Sequence, residues 1–233
     1  MATPSETQPI VEPPAREATI SDLIATAFAR YGGGFVTYGA AAALLCGIPG
    51  LAVVVARSQH ARFSLFAAVL AFFSALAYML LVGLITADAG QRVRRRLGAI
   101  VLTAPFAALP VAVVVAVLTL ASLLVLPLML APCALAAVAA GAGDASGVAA
   151  LRTGWKLARG TFRRAAGLAA VVEVMGVLLW LGLFIALSPL AEGVRVATAL
   201  VAWGAIFGPL SALIFRAFYG ARTGRLVLSR DPG

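Results

Sequence analysis

The longest uncharged stretch of the chain covers residues 97–143 and has arginines on both sides. A helix of that length would extend about 70 Å at ~1.5 Å per residue, more than twice the ~30 Å hydrocarbon thickness of a bilayer. The stretch therefore predicts two membrane-spanning helices joined by a hairpin. Because long apolar runs bounded by arginines recur along most of the chain, we expect an all-α, polytopic membrane protein.

Composition excludes a water-soluble globule. Apolar residues make up 62% of the chain and charged residues only 12%, and the mean hydropathy is +1.02. Too little polar surface would remain to cover a soluble protein of this size. The net charge of +9 would suggest nucleic acid in a soluble protein. Here the arginines stand at the ends of apolar runs, which instead indicates membrane orientation and contact with anionic lipid head groups.

Six spans are predicted, together with short amphipathic interfacial helices. They cover residues 35–56, 63–87, two segments within 97–143, 165–187 and 196–215. Residues 1–18 contain four prolines among polar residues and are expected to form a disordered tail. Residues 19–220 would form the transmembrane domain, and residues 221–233 a cytoplasmic tail.

Proline and glycine suggest where the helices break. The tip of the long hairpin is expected at 122–127, because Pro127 cannot continue the helical hydrogen bonds. Pro105 and Pro110 allow an alternative, in which residues 100–109 form a broken or interfacial helix. Before the first span, residues 20–31 have helical periodicity. A capping-box-like pair, Thr19 and Asp22, begins this short helix and glycines 32–34 are expected to end it, either in the interface or beneath the bundle.

The distribution of basic residues predicts the orientation. With both termini in the cytoplasm, fifteen of the 18 basic residues fall on the cytoplasmic side, and only Arg57, Arg62 and Arg195 fall outside. The positive-inside rule favours this arrangement, in the cytoplasmic (inner) membrane of a cell.

The segment after the fourth span predicts a basic amphipathic helix, which Asp144 or Ser146 could cap. The functional interpretation is specific binding of an anionic lipid or a protein partner, and the simpler one is a topology signal and interfacial anchor. The apolar positions at helical spacing are Val148, Leu151, Trp155, Ala158 and Phe162, and the basic positions on the adjoining face are Arg152, Lys156, Arg159 and Arg163.

The segment also carries a resemblance to a known family. Residues 150–160 read ALRTGWKLARG and follow Pro127 and Asp144, and the basic pair Arg163 and Arg164 comes next. This order, with the periodic segment at 23–31, resembles the membrane domain fused to some bacterial and archaeal glycerophosphodiester phosphodiesterases, and the stand-alone relatives of that domain. The resemblance implies a helical membrane domain. The phosphodiesterase catalytic domain is not in this sequence, so its activity is not implied, and the stand-alone relatives largely lack an assigned function.

Glu173 is the one acidic residue well inside a predicted span, about 13 Å along the helix from Arg164. It predicts either a proton or cation relay, or a protonated carboxyl that is hydrogen-bonded to a neighbouring helix. Gly204 and Gly208 form a GxxxG pair that indicates close helix packing, within the chain or across a homo-oligomer.

We therefore expect a non-enzymatic accessory or organising subunit, with a small transporter or permease component using Glu173 as the alternative. No cofactor, metal site, catalytic residue or nucleic-acid partner is predicted. The expected partners are membrane lipids with anionic head groups and, alternatively, another protein or a second copy of the chain. The residues expected to bind lipid or a partner are Arg92, Arg94, Arg95, Arg96, Arg152, Trp155, Lys156, Arg159, Arg163 and Arg164.

Overall fold

The computed structural model describes residues 18–58, 63–87, 93–117 and 122–224, without the side chains at 46–58, 63–68, 70–71, 93–95, 115–117 and 122–124. Within these ranges the chain is all-helical. The predicted tails lie largely outside the described residues. The helices are α1 (Ile20–Ser58), α2 (Phe63–Ala87), α3 (Val93–Val117), α4 (Ser122–Ala142), α5 (Gly147–Gly160), α6 (Phe162–Ala186) and α7 (Glu192–Arg222).

Four helical stretches within the described residues are long and apolar enough to cross a membrane. They are Arg96–Val114, Val125–Ala142, Phe162–Ala186 and Glu192–Arg222, in α3, α4, α6 and α7. A shorter apolar stretch, Phe72–Ala87, lies in α2. The predicted span in α1 and the first turns of α2 fall largely on side chains outside the described set.

Helix α1 begins as predicted and is interrupted at the glycines by a kink. The Asp22 carboxylate accepts from the Thr19 backbone N–H at 2.8 Å and the Thr19 hydroxyl accepts from the Asp22 N–H at 3.2 Å, which confirms the capping box. The expected end at 32–34 is confirmed at Gly34, which leaves helical geometry (φ −128°, ψ 16°), so that α1 consists of two helices joined across a kink at this residue. Both halves pack on α7: the Tyr31 hydroxyl, before the kink, donates to the Ala205 carbonyl at 3.2 Å, and a Cβ at Gly39, after the kink, would lie 3.6 Å from the same oxygen.

The prolines of α3 and α4 do not break either helix. Pro105 and Pro110 lie inside α3, and Pro127 and Pro132 lie inside α4. The predicted hairpin tip at 122–127 is therefore wrong, and so is the alternative of a broken helix at 100–109. Apolar helices in a bundle tolerate proline because neighbouring helices and local adjustments satisfy the freed carbonyl groups. The link between α3 and α4 lies outside the described residues.

The core lies between α2, α4 and α7, which approach each other at small residues. A Cβ at Gly208 of α7 would lie 2.8 Å from a Leu81 methyl of α2, and one at Gly141 of α4 would lie 2.8 Å from the Thr86 Cβ. Helix α6 is peripheral by comparison: 22% of its apolar stretch is buried, against 61% for α7.

Candidate functional site

The turn between α4 and α5 closes the end of α4 with backbone hydrogen bonds. Gly143 has φ +78°, its N–H donates to the Ala140 carbonyl at 3.1 Å, and the Asp144 N–H donates to the Ala139 carbonyl at 3.0 Å. This is a Schellman motif, for which glycine is suited because an L side chain disfavours positive φ. Arg96 of α3 adds a further bond, since its Nη1 donates to the Gly141 carbonyl at 2.7 Å.

The first turn of α5 is capped from another helix. Ser146 occupies the N-cap position without a side-chain cap hydrogen bond. Instead the Gly147 N–H donates at 2.8 Å to the buried hydroxyl of Thr103, in α3. Asp144 accepts from the Tyr219 hydroxyl of α7 at 2.6 Å. The cap expected from Asp144 or Ser146 thus comes from Thr103, which the sequence analysis missed because a cap from a distant helix leaves no local pattern.

Helix α5 packs on α4 through its small residues. Gly147, Ala150, Gly154 and Ala158 are the buried positions, one turn apart. A Cβ at Gly154 would collide with the Pro132 carbonyl oxygen and lie 2.7 Å from the Ala136 backbone nitrogen. The two backbones are therefore in direct contact near the middle of α4.

The apolar stripe predicted for this segment is only partly the packing face. Val148 is 51% exposed, Trp155 is half-buried, and only Ala158 of the five is fully buried. Phe162 is not on the same helix, because α5 ends at Gly160 and Thr161 leaves helical geometry (φ −142°, ψ 39°) before α6 begins. The prediction of this packing face was incomplete because small residues allow the closest approach of two helices. Such residues contribute little to an apolar pattern in the sequence.

The basic positions of this segment all lie at the surface. We call this set, whose members are given at the end of this paragraph, the basic surface. Trp155 borders it, and the Arg159 Cζ lies 5.9 Å from the centroid of the Trp155 ring. Guanidinium and ammonium groups beside a half-buried tryptophan suit the boundary of a bilayer, where apolar stems are buried and charges meet phosphates. Its members are Arg152, Lys156 and Arg159 of α5 and Arg163 and Arg164 of α6, all exposed.

The remaining predicted arginines have different placements. Arg96 is half-buried and hydrogen-bonded to α4, away from the basic surface. Arg216 of α7 is used similarly, since its Nη1 donates to the Ile85 carbonyl in the last turn of α2 at 3.0 Å. Cations at helix C-termini satisfy carbonyls that lack helical partners and complement the helix dipole. The side chains of Arg92, Arg94 and Arg95 lie outside the described residues.

Glu173 lies in α6 with both carboxylate oxygens shielded. Among the described residues neither oxygen has a hydrogen-bond partner. The bond to a neighbouring helix that the sequence suggested is therefore not found in that part of the chain. Nearby, the Trp203 indole N–H donates to the Gly176 carbonyl at 2.8 Å and ties α7 to α6.

The GxxxG pair faces the inside of the chain. Gly204 and Gly208 are both buried, and Gly208 meets Leu81 of α2. In the described residues, no group of three or more His, Cys, Asp and Glu side chains could hold a metal ion. Cys133 of α4 is buried and forms no disulfide with any described residue.

At the other end of α6 and α7, one arginine packs on an aromatic cluster. The Arg195 Cζ lies 4.2 Å from the ring centroid of Phe184, which stacks on Trp180 with a centroid separation of 6.3 Å. Along α7, Arg195 is about 31 Å from Arg216 at ~1.5 Å per residue. That separation is close to the hydrocarbon thickness of a bilayer, ~30 Å.

The chain matches no family model, no curated protein and no solved structure. The relation to the membrane domain of glycerophosphodiester phosphodiesterases therefore stays a prediction from residues 150–160 and their neighbours.

Proposed function

We propose that this chain is a non-enzymatic integral membrane protein, an accessory or organising subunit whose basic surface binds anionic lipid head groups. It crosses the cytoplasmic (inner) membrane six times, and both termini lie in the cytoplasm. The alternative to anionic lipid is a protein partner that binds the same basic surface.

One observation carries the proposal. Helix α5 packs tightly on the bundle through a face of small residues and exposes cations on its other side. Because Gly154 of α5 touches the backbone of α4, the helix has a fixed position. Arg152, Lys156 and Arg159 project from that fixed frame and are exposed. Each cation close to an anionic leaflet contributes about 1 kcal/mol to membrane attraction.

The polar side chains around the α4–α5 turn support a structural role over chemistry. Arg96, Thr103 and Arg216 each make a hydrogen bond that joins two helices, and Tyr219 joins α7 to the turn itself. Their polar atoms hold the end of the bundle together and thereby present α5. This use of polar groups supports an organising function.

The membrane frame of the proposal rests on α6 and α7. The interval of about 31 Å from Arg195 to Arg216 and that of about 24 Å from Arg164 to Trp180 both suit a single crossing. Tryptophan is enriched at membrane interfaces, so Trp180 would mark the outer boundary and the basic surface the inner one.

The test compares two charge-matched variants of the full chain, Arg152→Gln/Lys156→Gln and Arg57→Gln/Arg62→Gln. Each is purified in mild detergent, and co-purifying lipids and proteins are identified by mass spectrometry. We expect the first variant to lose most of the anionic lipid that the wild type retains, and the second to keep it. Loss of a stoichiometric protein instead of lipid would show that the surface binds a partner. Equal retention in both variants would refute the proposal.

Glu173 favours a second candidate, a small transporter or permease component. An acidic side chain inside an apolar helix, with both oxygens shielded and no hydrogen-bond partner among the described residues, is typical of an ion or proton pathway. In proteoliposomes, a Glu173→Gln variant that folds normally should then lose proton or cation flux. Equal flux in the variant and the wild type would remove this candidate.

A further inference from the structure

The middle of α7 contains a proline that removes one helical hydrogen bond. Pro209 lies inside α7, which continues as a helix on both sides of it. Because proline has no backbone N–H, the carbonyl four residues earlier, at Ala205, lacks the donor that an uninterrupted helix would supply. Along the helix, Ala205 is about 15 Å from Arg195 and about 17 Å from Arg216. In the middle of an apolar span water does not replace the missing bond, so the carbonyl needs a partner within the protein.

Helix α1 supplies that partner. The Tyr31 hydroxyl donates to the Ala205 carbonyl at 3.2 Å, and the Tyr31 side chain is only 8% exposed. The Tyr31 ring packs edge-on against Phe35, with centroids 5.3 Å apart. The kink of α1 at Gly34 lies between Tyr31 and Gly39, whose Cβ would lie 3.6 Å from the same carbonyl oxygen. Both halves of α1 therefore contact the carbonyl that the proline leaves without its helical donor.

The part of α7 that follows the proline is fixed by a different helix. The Tyr78 hydroxyl of α2 donates to the Ser211 hydroxyl at 3.0 Å, and the Ser211 hydroxyl donates to the Gly208 carbonyl at 2.8 Å. A Cβ at Gly208 would lie 2.8 Å from a Leu81 methyl, so α2 and α7 are in close contact here. Two different helices thus hold α7 on the two sides of the missing bond.

We propose that residues 205–209 form a hinge in α7 and that the Tyr31 hydroxyl keeps this hinge closed. A helix bends most readily where a proline removes a hydrogen bond, and the bond from α1 compensates for that loss. Release of Tyr31 would allow the first half of α7 to bend relative to the second half, which stays attached to α2. Helix α6 would move with the first half, because the Trp203 indole joins it to α7. The hinge does not depend on what the basic surface binds.

The experiment measures hydrogen exchange by mass spectrometry on the full chain in detergent. Tyr31→Phe removes the hydroxyl and keeps the ring, while Pro209→Ala restores an N–H that can bond to the Ala205 carbonyl. The two substitutions are made separately and together, and Pro209→Leu provides a second background in which the N–H is restored. Tyr78→Phe is the matched control, because it removes a tyrosine hydroxyl that bonds to α7 at Ser211 instead of at Ala205.

With proline at position 209, Tyr31→Phe should make the amides of residues 203–212 exchange at least about fivefold faster, as expected for the loss of one hydrogen bond. The amides of α4 should keep their wild-type rates. With alanine or leucine at position 209, Tyr31→Phe should change the rates by less than about twofold, because the helix itself then satisfies the carbonyl. Tyr78→Phe should have the same effect in all backgrounds.

Three results would overturn the hinge. Unchanged exchange in Tyr31→Phe with Pro209 in place would show that the hydroxyl does not keep α7 closed. Equal acceleration with and without the proline would show that the hydroxyl does not replace the missing N–H. Acceleration of the same size in α4 and α7 would show a general loss of packing instead of a local opening.

Discussion

Among single side chains, the contact between Tyr219 and Asp144 makes the sharpest stability prediction. The Tyr219 ring is only 4% exposed, and its hydroxyl donates to the carboxylate at 2.6 Å. Tyr219→Phe keeps the buried ring and removes this bond. Because hydrogen bonds to charged groups contribute about 1.5–3 kcal/mol, we expect a loss of that size in the free energy of unfolding in detergent.

Tyr38→Phe is the matched control for that substitution. Within the described residues the Tyr38 hydroxyl makes no hydrogen bond, and the ring lies beside Gly34 in α1. The same unfolding measurement should change by less than about 0.5 kcal/mol. An equal loss in both variants would mean that the Tyr219 hydroxyl contributes nothing specific.

Residue positions were easier to predict than residue partners. The sequence placed Arg96 at the end of an apolar run, and its side chain does lie at a helix end. Its hydrogen bond to Gly141 was not predictable, because that partner is 45 residues further along the chain. Thr103 was missed for the same reason. In contrast, the Thr19–Asp22 capping box was predictable, because its geometry depends on local spacing alone.

Between helices, the contact of α5 with α4 depends on Gly154. A Cβ there meets backbone atoms of Pro132 and Ala136, which cannot rotate away as a side chain would. Gly154→Ala should therefore force the two helices apart and lower the free energy of unfolding by about 1–3 kcal/mol. Gly160→Ala, on the same helix with nothing within 4 Å of its Cβ, should be neutral or slightly stabilising. Equal effects of the two substitutions would contradict this description of the α4–α5 contact.

The start of α5 depends on α3 through the Thr103 hydroxyl. Thr103→Val preserves the shape of the side chain and leaves the Gly147 N–H without its acceptor in a buried site. An unsatisfied buried donor costs about 1–3 kcal/mol, so hydrogen exchange at the first turn of α5 should become faster. Thr103→Ser keeps the hydroxyl and should restore protection. Unprotected amides in the serine variant as well would indicate that methyl packing, rather than the hydrogen bond, holds α5.

Helix limits were predictable where apolar composition and charge change together. The second predicted span, 63–87, coincides with α2, while α6 and α7 begin a few residues before their predicted spans. The error concerns Pro127, where local propensity favours a break but α4 continues, whereas the glycines at 32–34 do mark the kink of α1. In α4 the neighbouring helices supply contacts that outweigh that propensity, and a sequence pattern does not contain them.

For the molecule as a whole, the positions of the arginines and the lengths of the helices should indicate the same orientation in the membrane. Arg96 of α3 and Arg216 of α7 are hydrogen-bonded at the ends of α4 and α2, the arginines of α5 and of the first turn of α6 are exposed, and Arg195 packs at the opposite end of α7. The interval between these ends matches about one bilayer thickness. A bundle with this asymmetry would insert with the basic end in the cytoplasm, according to the positive-inside rule.

Truncated fusions to a reporter that is active only outside the cytoplasm test both the orientation and the number of crossings. Fusions after Gly98 and Ser146 should be inactive, and fusions after His60 and Pro189 should be active. The fusion after His60 is decisive for the count, because it is external only if α1 and α2 both cross the membrane. An inactive reporter there, with Pro189 active, would reduce the bundle to four crossings and leave the orientation unchanged. Activity at Gly98 or Ser146 would reverse the orientation and place the basic surface outside the cytoplasm, which would remove the electrostatic basis for its contact with the anionic inner leaflet.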